Sequence, residues 1–145
     1  MQFKLPAAPW FAAWRQRLAL RPARVAREVQ RCATLSWNEF AAELERAYTE
    51  RGYQVSAVDS PAADFCLQQG GSLTLVSCKR WQAPSHGIAA LTDLEALRQA
   101  QGAQDCTYIC LGAFTETARR FAQEQNIHLM TAPELVQLLS PRRGA

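Results

Sequence analysis

The sequence predicts an α/β protein with a mixed sheet, preceded by a helical arm. Three observations carry this. Short β-rich runs alternate with apolar patterns of helical period. Gly70-Gly71 separates two strand-like runs, the mark of an antiparallel hairpin. Cys106–Leu111 is almost entirely apolar, which suits a central strand covered on both faces.

The elements follow in order. Trp10, Phe11, Trp14 and Leu18 recur at helical spacing until Pro22 interrupts them. A second helical stretch puts Val25, Ala26, Val29, Cys32 and Ala33 on one side and Arg24, Arg27 and Arg31 on the other. Ser36-Trp37-Asn38-Glu39 has the form of a capping box, which opens a helix over about 37–51 that Gly52 stops. Tyr53–Val58 alternates as a strand, and 63–68 with 72–79 reads as a hairpin. A helix carrying Ile88, Leu91, Leu94 and Leu97 comes next, then the strand Cys106–Leu111, ended by Gly112. Thr115 caps a helix through Gln125. Ile127–Met130 is a short strand, and Thr131-Ala132-Pro133-Glu134 opens a last helix with Leu135, Leu138 and Leu139. The expected organisation is a basic arm at 1–34, a domain at 35–140 and a tail at 141–145.

Composition narrows the function. The chain has 145 residues, 48% hydrophobic and 20% charged, enough apolar material to fold as a globular domain. No run of about 18 apolar residues is present, which argues against a membrane-spanning helix, and a cleaved signal peptide is not expected. Residues 1–33 hold seven Lys/Arg and one acid, whereas 34–145 hold nine Lys/Arg and twelve acids. Such an arm suits a polyanion, an anionic membrane surface or a protein partner. The five cysteines are odd in number and form no CxxC pair, so buried, reduced thiols and a cytoplasmic location are expected. His86 and His128 lie too far from paired cysteines for a zinc site.

The polar residues that stand out lie at strand ends. Asp64 opens one hairpin strand and Lys79 closes its partner, so in-register pairing brings acid and amine together at the open end. Metal-dependent nucleases use such a pair, the carboxylate for Mg²⁺ and the ammonium for charge on the phosphate. A plain cross-strand ion pair is the alternative. Ser85 and His86 lack an orienting acid nearby, so a nucleophile role is not expected of them.

An ordered set of short motifs extends this reading. It comprises Trp37-Asn38-Glu39-Phe40, Gly52-Tyr53-Gln54-Val55, Asp64 at a strand start and Val76-Ser77-Cys78-Lys79-Arg80-Trp81. Gly112-Ala113-Phe114-Thr115-Glu116-Thr117-Ala118, Ile127-His128-Leu129-Met130 and Glu134–Leu139 complete it. From Leu35 to Leu139 the chain resembles the Mrr-like type IV restriction endonuclease family of the PD-(D/E)XK nuclease-like superfamily. The resemblance implies a restriction-endonuclease-like three-layer core that cleaves DNA phosphodiesters, including modified DNA, with one Mg²⁺ or Mn²⁺. It implies Asp64 as metal-binding aspartate, Lys79 as catalytic lysine and Glu39 as an acidic residue of the first helix. With the Cys78 carbonyl, Asp64 and Glu39 would hold the ion, while Arg80, Arg119 and Arg120 would contact phosphates. Ser77 stands where the family usually has Gln or Glu, and Ser60-Pro61-Ala62-Ala63 replaces its glycine-rich lead-in to the aspartate. Alternatives that stay open are a catalytically degenerate nucleic-acid-binding module and an adaptor docking through its arm. Homodimer assembly also stays open.

Overall fold

The computed structural model describes residues 21–141. The helix expected around Trp10, Phe11, Trp14 and Leu18 lies outside them, as do residues 142–145. Two helices come first, α1 (Pro22–Ala33) and α2 (Trp37–Glu50). Strands β1 (Gln54–Ser60), β2 (Ala63–Gln69) and β3 (Ser72–Ser77) follow, then a two-residue strand β4 (Ser85–His86) and helix α3 (Ile88–Gln101). The chain continues through β5 (Asp105–Ile109), β6 (Ala113–Phe114), α4 (Glu116–Gln125), β7 (His128–Met130) and α5 (Ala132–Leu139).

The main sheet has the order β1-β2-β3-β5-β7, antiparallel through β3 and parallel from β3 to β7. It is a mixed sheet between two helical layers. Phe65, Leu67, Val76, Ile109 and Met130 point to the face covered by α1, α2 and α5. Leu75, Cys106, Tyr108 and their neighbours point to the face covered by α3 and α4. This alternation follows from the two-residue period of a strand. In β5 every residue from Cys106 to Ile109 is buried, because the strand is central and covered on both faces. All five cysteines are free thiols.

Local sequence explains the helix that borders the site. Ser36 Oγ accepts the Glu39 N–H at 3.1 Å and Glu39 Oε1 accepts the Ser36 N–H at 2.8 Å, completing the capping box. The helix then buries Phe40, Leu44, Ala47 and Tyr48. Helix α1, the second helical stretch of the sequence, is fastened to the domain. Cys32 is fully buried, and the backbone oxygens at the end of α1 meet the segment that follows β3. Trp81 Nε1–H donates to the Cys32 carbonyl at 3.0 Å, and the Gln82 amide to those of Ala33 and Leu35. Arg31 adds a bidentate pair to Glu43 of α2 at 2.6 and 2.9 Å.

Three details differ from the sequence expectation. The hairpin strand ends at Ser77 rather than Lys79, because the Asp64 side chain takes the N–H groups of Cys78 and Lys79. The strand Cys106–Leu111 ends at Ile109, and Leu111 N–H turns instead to the Trp81 carbonyl. The small parallel pair β4–β6 has too few residues to show a pattern in sequence. Gly112 lies against this pair, where a Cβ would run into the Ala83 carbonyl oxygen and the backbone of Pro84.

Candidate active site

The β2–β3 hairpin sets the geometry. Phe65 pairs with Val76 in its register, and one step further the same register places Asp64 opposite Ser77. Beyond Ser77 the chain leaves the sheet and delivers Lys79 beside Asp64. Asp64 Oδ2 accepts the N–H groups of Cys78 at 2.7 Å and Lys79 at 2.9 Å. Asp64 Oδ1 lies 3.6 Å from Lys79 Nζ. The carboxylate side chain is only 7% exposed and the lysine side chain 62%, so the acid lies deep in the site and the amine on its solvent side. Two backbone donors on Oδ2 fix the orientation of the carboxylate and leave Oδ1 on the side of the Lys79 ammonium.

Ser77 is half-buried and shares a sheet row with Tyr108, its register partner on β5. Cys78 is buried, and burial together with the Asp64 charge pushes its thiol well up from the usual range. It therefore stays protonated and is no thiolate ligand. Its carbonyl accepts the Trp81 N–H at 3.1 Å. Glu39 is exposed, and its carboxylate is drawn back to its own helix end by the Ser36 N–H. Among the described residues no three His, Cys, Asp or Glu side chains gather to hold a metal ion. Of the expected ligands Asp64, Glu39 and the Cys78 carbonyl, Glu39 is hydrogen-bonded at its own helix end and Asp64 accepts the Cys78 and Lys79 N–H groups. The neutral Ser77 hydroxyl belongs to the residue opposite Asp64 in the hairpin register. That donor set fits a hard divalent ion only if water and substrate phosphate supply its other ligands, a binding mode suited to Mg²⁺.

Arg80 is exposed directly after Lys79, and Arg119 and Arg120 are exposed on α4. Trp81 is 2% exposed and stacked on Phe40 with ring centroids 4.2 Å apart, so it is core and has no face for a base. Sequence reasoning missed two neighbours of the site. Trp37, the first residue of α2, places its ring centroid 5.4 Å from Lys79 Nζ. Its sequence signals were its places in the capping box and in the Trp37–Phe40 motif, and neither points to Lys79. The second neighbour is a buried bond between His86 Nδ1 and the Tyr108 hydroxyl at 2.8 Å. Two residues on separate strands give no local pattern. The Ala83 carbonyl can only accept, so His86 Nε2 carries the proton at 3.1 Å from it and Tyr108 donates to Nδ1 of the neutral ring. Burial pushes the Tyr108 phenol up to about 12.

Burial also lowers the affinity of His86 for a proton; the Ala83 bond works against this and the Arg80 charge with it. The unfolded chain therefore protonates first, at about 6.5. Stability from this group is full above that value and declines as pH falls below it. Thermal unfolding is expected to show Tm falling as pH drops from about 8 to about 5, and falling less steeply in His86→Gln. Parallel pH profiles for the two proteins would refute this.

Comparison with known families decides the kinship. The family of Mrr catalytic domains, described as restriction endonuclease, matches residues 32–139. The chain belongs to this Mrr restriction endonuclease family. The matched span runs from the end of α1 to the end of α5 and includes Asp64, Ser77 and Lys79. A solved structure described as "Crystal Structure of Protein of Unknown Function AF1548" is 18% identical, with a TM-score of 0.50 over 60% of this chain. It supports the restriction-endonuclease-like fold of the Mrr domain. The chain spans about half of that protein, 53% of its length. No curated protein matches.

Proposed function

We propose that this Mrr domain is a DNA endonuclease whose hydrolytic centre is the Asp64–Lys79 cleft, working with one divalent ion, Mg²⁺ or Mn²⁺. The observation that carries the reading is the placement of Asp64 Oδ1 and Lys79 Nζ 3.6 Å apart at the open end of the hairpin. Asp64 Oδ1 and the Ser77 hydroxyl would hold the ion. When bound, it supplies Lewis acidity toward the phosphate and lowers the pKa of water.

The remaining work falls to side chains of the cleft. The Cys78 and Lys79 backbone amides hold the Asp64 carboxylate in one orientation. The Lys79 ammonium, on the solvent side, offsets charge growing on the phosphate and aligns the attacking water. Arg80 contacts a phosphate next to it, and Arg119 and Arg120 contact others, without reading sequence. Solvent protonates the leaving 3′ oxygen. Five reduced cysteines agree with a cytoplasmic location, where DNA is available.

A second reading, a DNA-binding module that does not cut, is favoured by Ser77 and by the single carboxylate in the cleft. Plasmid nicking separates the two, run with Mg²⁺ and with Mn²⁺ on unmodified and modified DNA. The parent is expected to cut, and Lys79→Ala to lose at least about 10²-fold in rate. Ser77→Gln is expected to cut faster by supplying a longer oxygen ligand. Salt-dependent binding of DNA without any turnover would decide for the module. A Lys79→Ala protein that cuts like the parent would remove the site from this cleft.

A further inference from the structure

Lys79 has a second neighbour besides Asp64. Its Nζ lies 5.4 Å from the centroid of the Trp37 ring, within the range over which an ammonium is drawn to an aromatic face. The ring is itself held. Trp37 is the first residue of α2, where the Ser36–Glu39 capping box fixes the start of the helix. Its other contacts are Phe65 of β2 at 6.2 Å and Trp81 at 6.0 Å between centroids. Phe65 is the residue after Asp64, and Trp81 is two residues after Lys79. The aromatic group thus bridges the two strand ends that carry the acid and the amine.

We propose that Trp37 is a positioning residue for Lys79, holding the ammonium beside Asp64 Oδ1. A lysine ends in a compact charge on a long flexible stem and is 62% exposed here, so one ion pair at 3.6 Å leaves much of its freedom. A ring as a second neighbour restricts that freedom without removing a proton or a hydrogen bond. The ammonium then stays on the solvent side of the site where a phosphate arrives, and the ordering cost is met before substrate binds. The catalytic consequence rests on the endonuclease reading; the contact itself does not.

The test uses the whole chain. The Lys79 ε-methylene protons are expected upfield of their free-lysine position in the NMR spectrum, shifted by the ring, and Trp37→Leu returns them to it. Trp37→Phe and Trp37→Tyr keep part of the shift. Because Trp37 also packs, fluorinated tryptophans placed at this position supply a series of unchanged shape. Each added fluorine weakens the negative ring face, so the Lys79 shift declines with fluorine number. The single-turnover cleavage rate is expected to fall along the same series by about 3- to 10-fold, with DNA affinity little changed. Lys79 protons at the free-lysine position in the parent would overturn the proposal. So would a cleavage rate indifferent to fluorination. A parent that cuts no DNA would defeat the endonuclease reading, and the Lys79 resonance would then decide the contact alone.

Discussion

Asp64→Ala is expected to lose both DNA cleavage and about 2 kcal/mol of folding stability, whereas Lys79→Ala loses cleavage and stays within about 0.5 kcal/mol of the parent. The difference comes from where the two side chains sit. The Asp64 carboxylate is 7% exposed and is the acceptor for the Cys78 and Lys79 N–H groups. Alanine leaves both donors without it. The Cys78 amide belongs to a buried residue and has poor access to water, while the Lys79 amide, in an exposed residue, recovers some. Leaving a buried donor unpaired costs about 1–3 kcal/mol. Asp64→Asn retains an oxygen acceptor and is expected to be the milder change in stability, yet it lacks the charge that an ion needs. Lys79 is largely in water, and without it Asp64 still keeps both backbone donors, so its loss costs less. Urea unfolding of the three variants, beside the nicking assay, checks this. Equal stability of Asp64→Ala and the parent would show that the two amides do not depend on the carboxylate.

Trp81→Ala should cause a still larger loss, about 3–5 kcal/mol, and should loosen α1. Trp81 joins three parts of the fold. Its ring stacks on Phe40 of α2 at 4.2 Å with planes 7° apart and lies 6.0 Å from Trp37. Its indole N–H ends on the Cys32 carbonyl, at the close of α1. Its backbone carbonyl receives the Leu111 N–H. Truncation leaves a cavity under α2 and at once takes the indole donor from the Cys32 carbonyl, which keeps the Leu35 N–H at 3.3 Å. Cys32, fully buried in the parent, should then react with a thiol reagent, and its modification can be mapped by mass spectrometry. A variant within about 1 kcal/mol of the parent with Cys32 still protected would contradict this role for Trp81.

The effect on Trp81 bears on how the site is built. The run Val76-Ser77-Cys78-Lys79-Arg80-Trp81 carries the amides that hold Asp64, the exposed amine and an anchor in six residues. Its sequence shows an apolar strand followed by charge, and either role for Trp81 fits that pattern. Only the stacked Phe40, about forty residues earlier on α2, settles that the indole faces inward. The same holds for Glu39. Its place three residues after Ser36 is sufficient reason for a glutamate there, and the structure keeps its carboxylate at that local task.

What the sequence by itself determined is the larger helices and strands and the nearness of Asp64 to Lys79. Helical and strand periods, the capping box and the glycine pair are local signals, each set by contacts within a few residues along the chain. Hairpin closure is the one long step that sequence could take, because a tight turn fixes register. What only the tertiary structure decided is the environment of that pair: an acid nearly sealed from solvent, two backbone amides on its far oxygen and an indole beside the ammonium. Those partners come from separate elements, and side-chain burial depends on how layers pack rather than on neighbours in sequence.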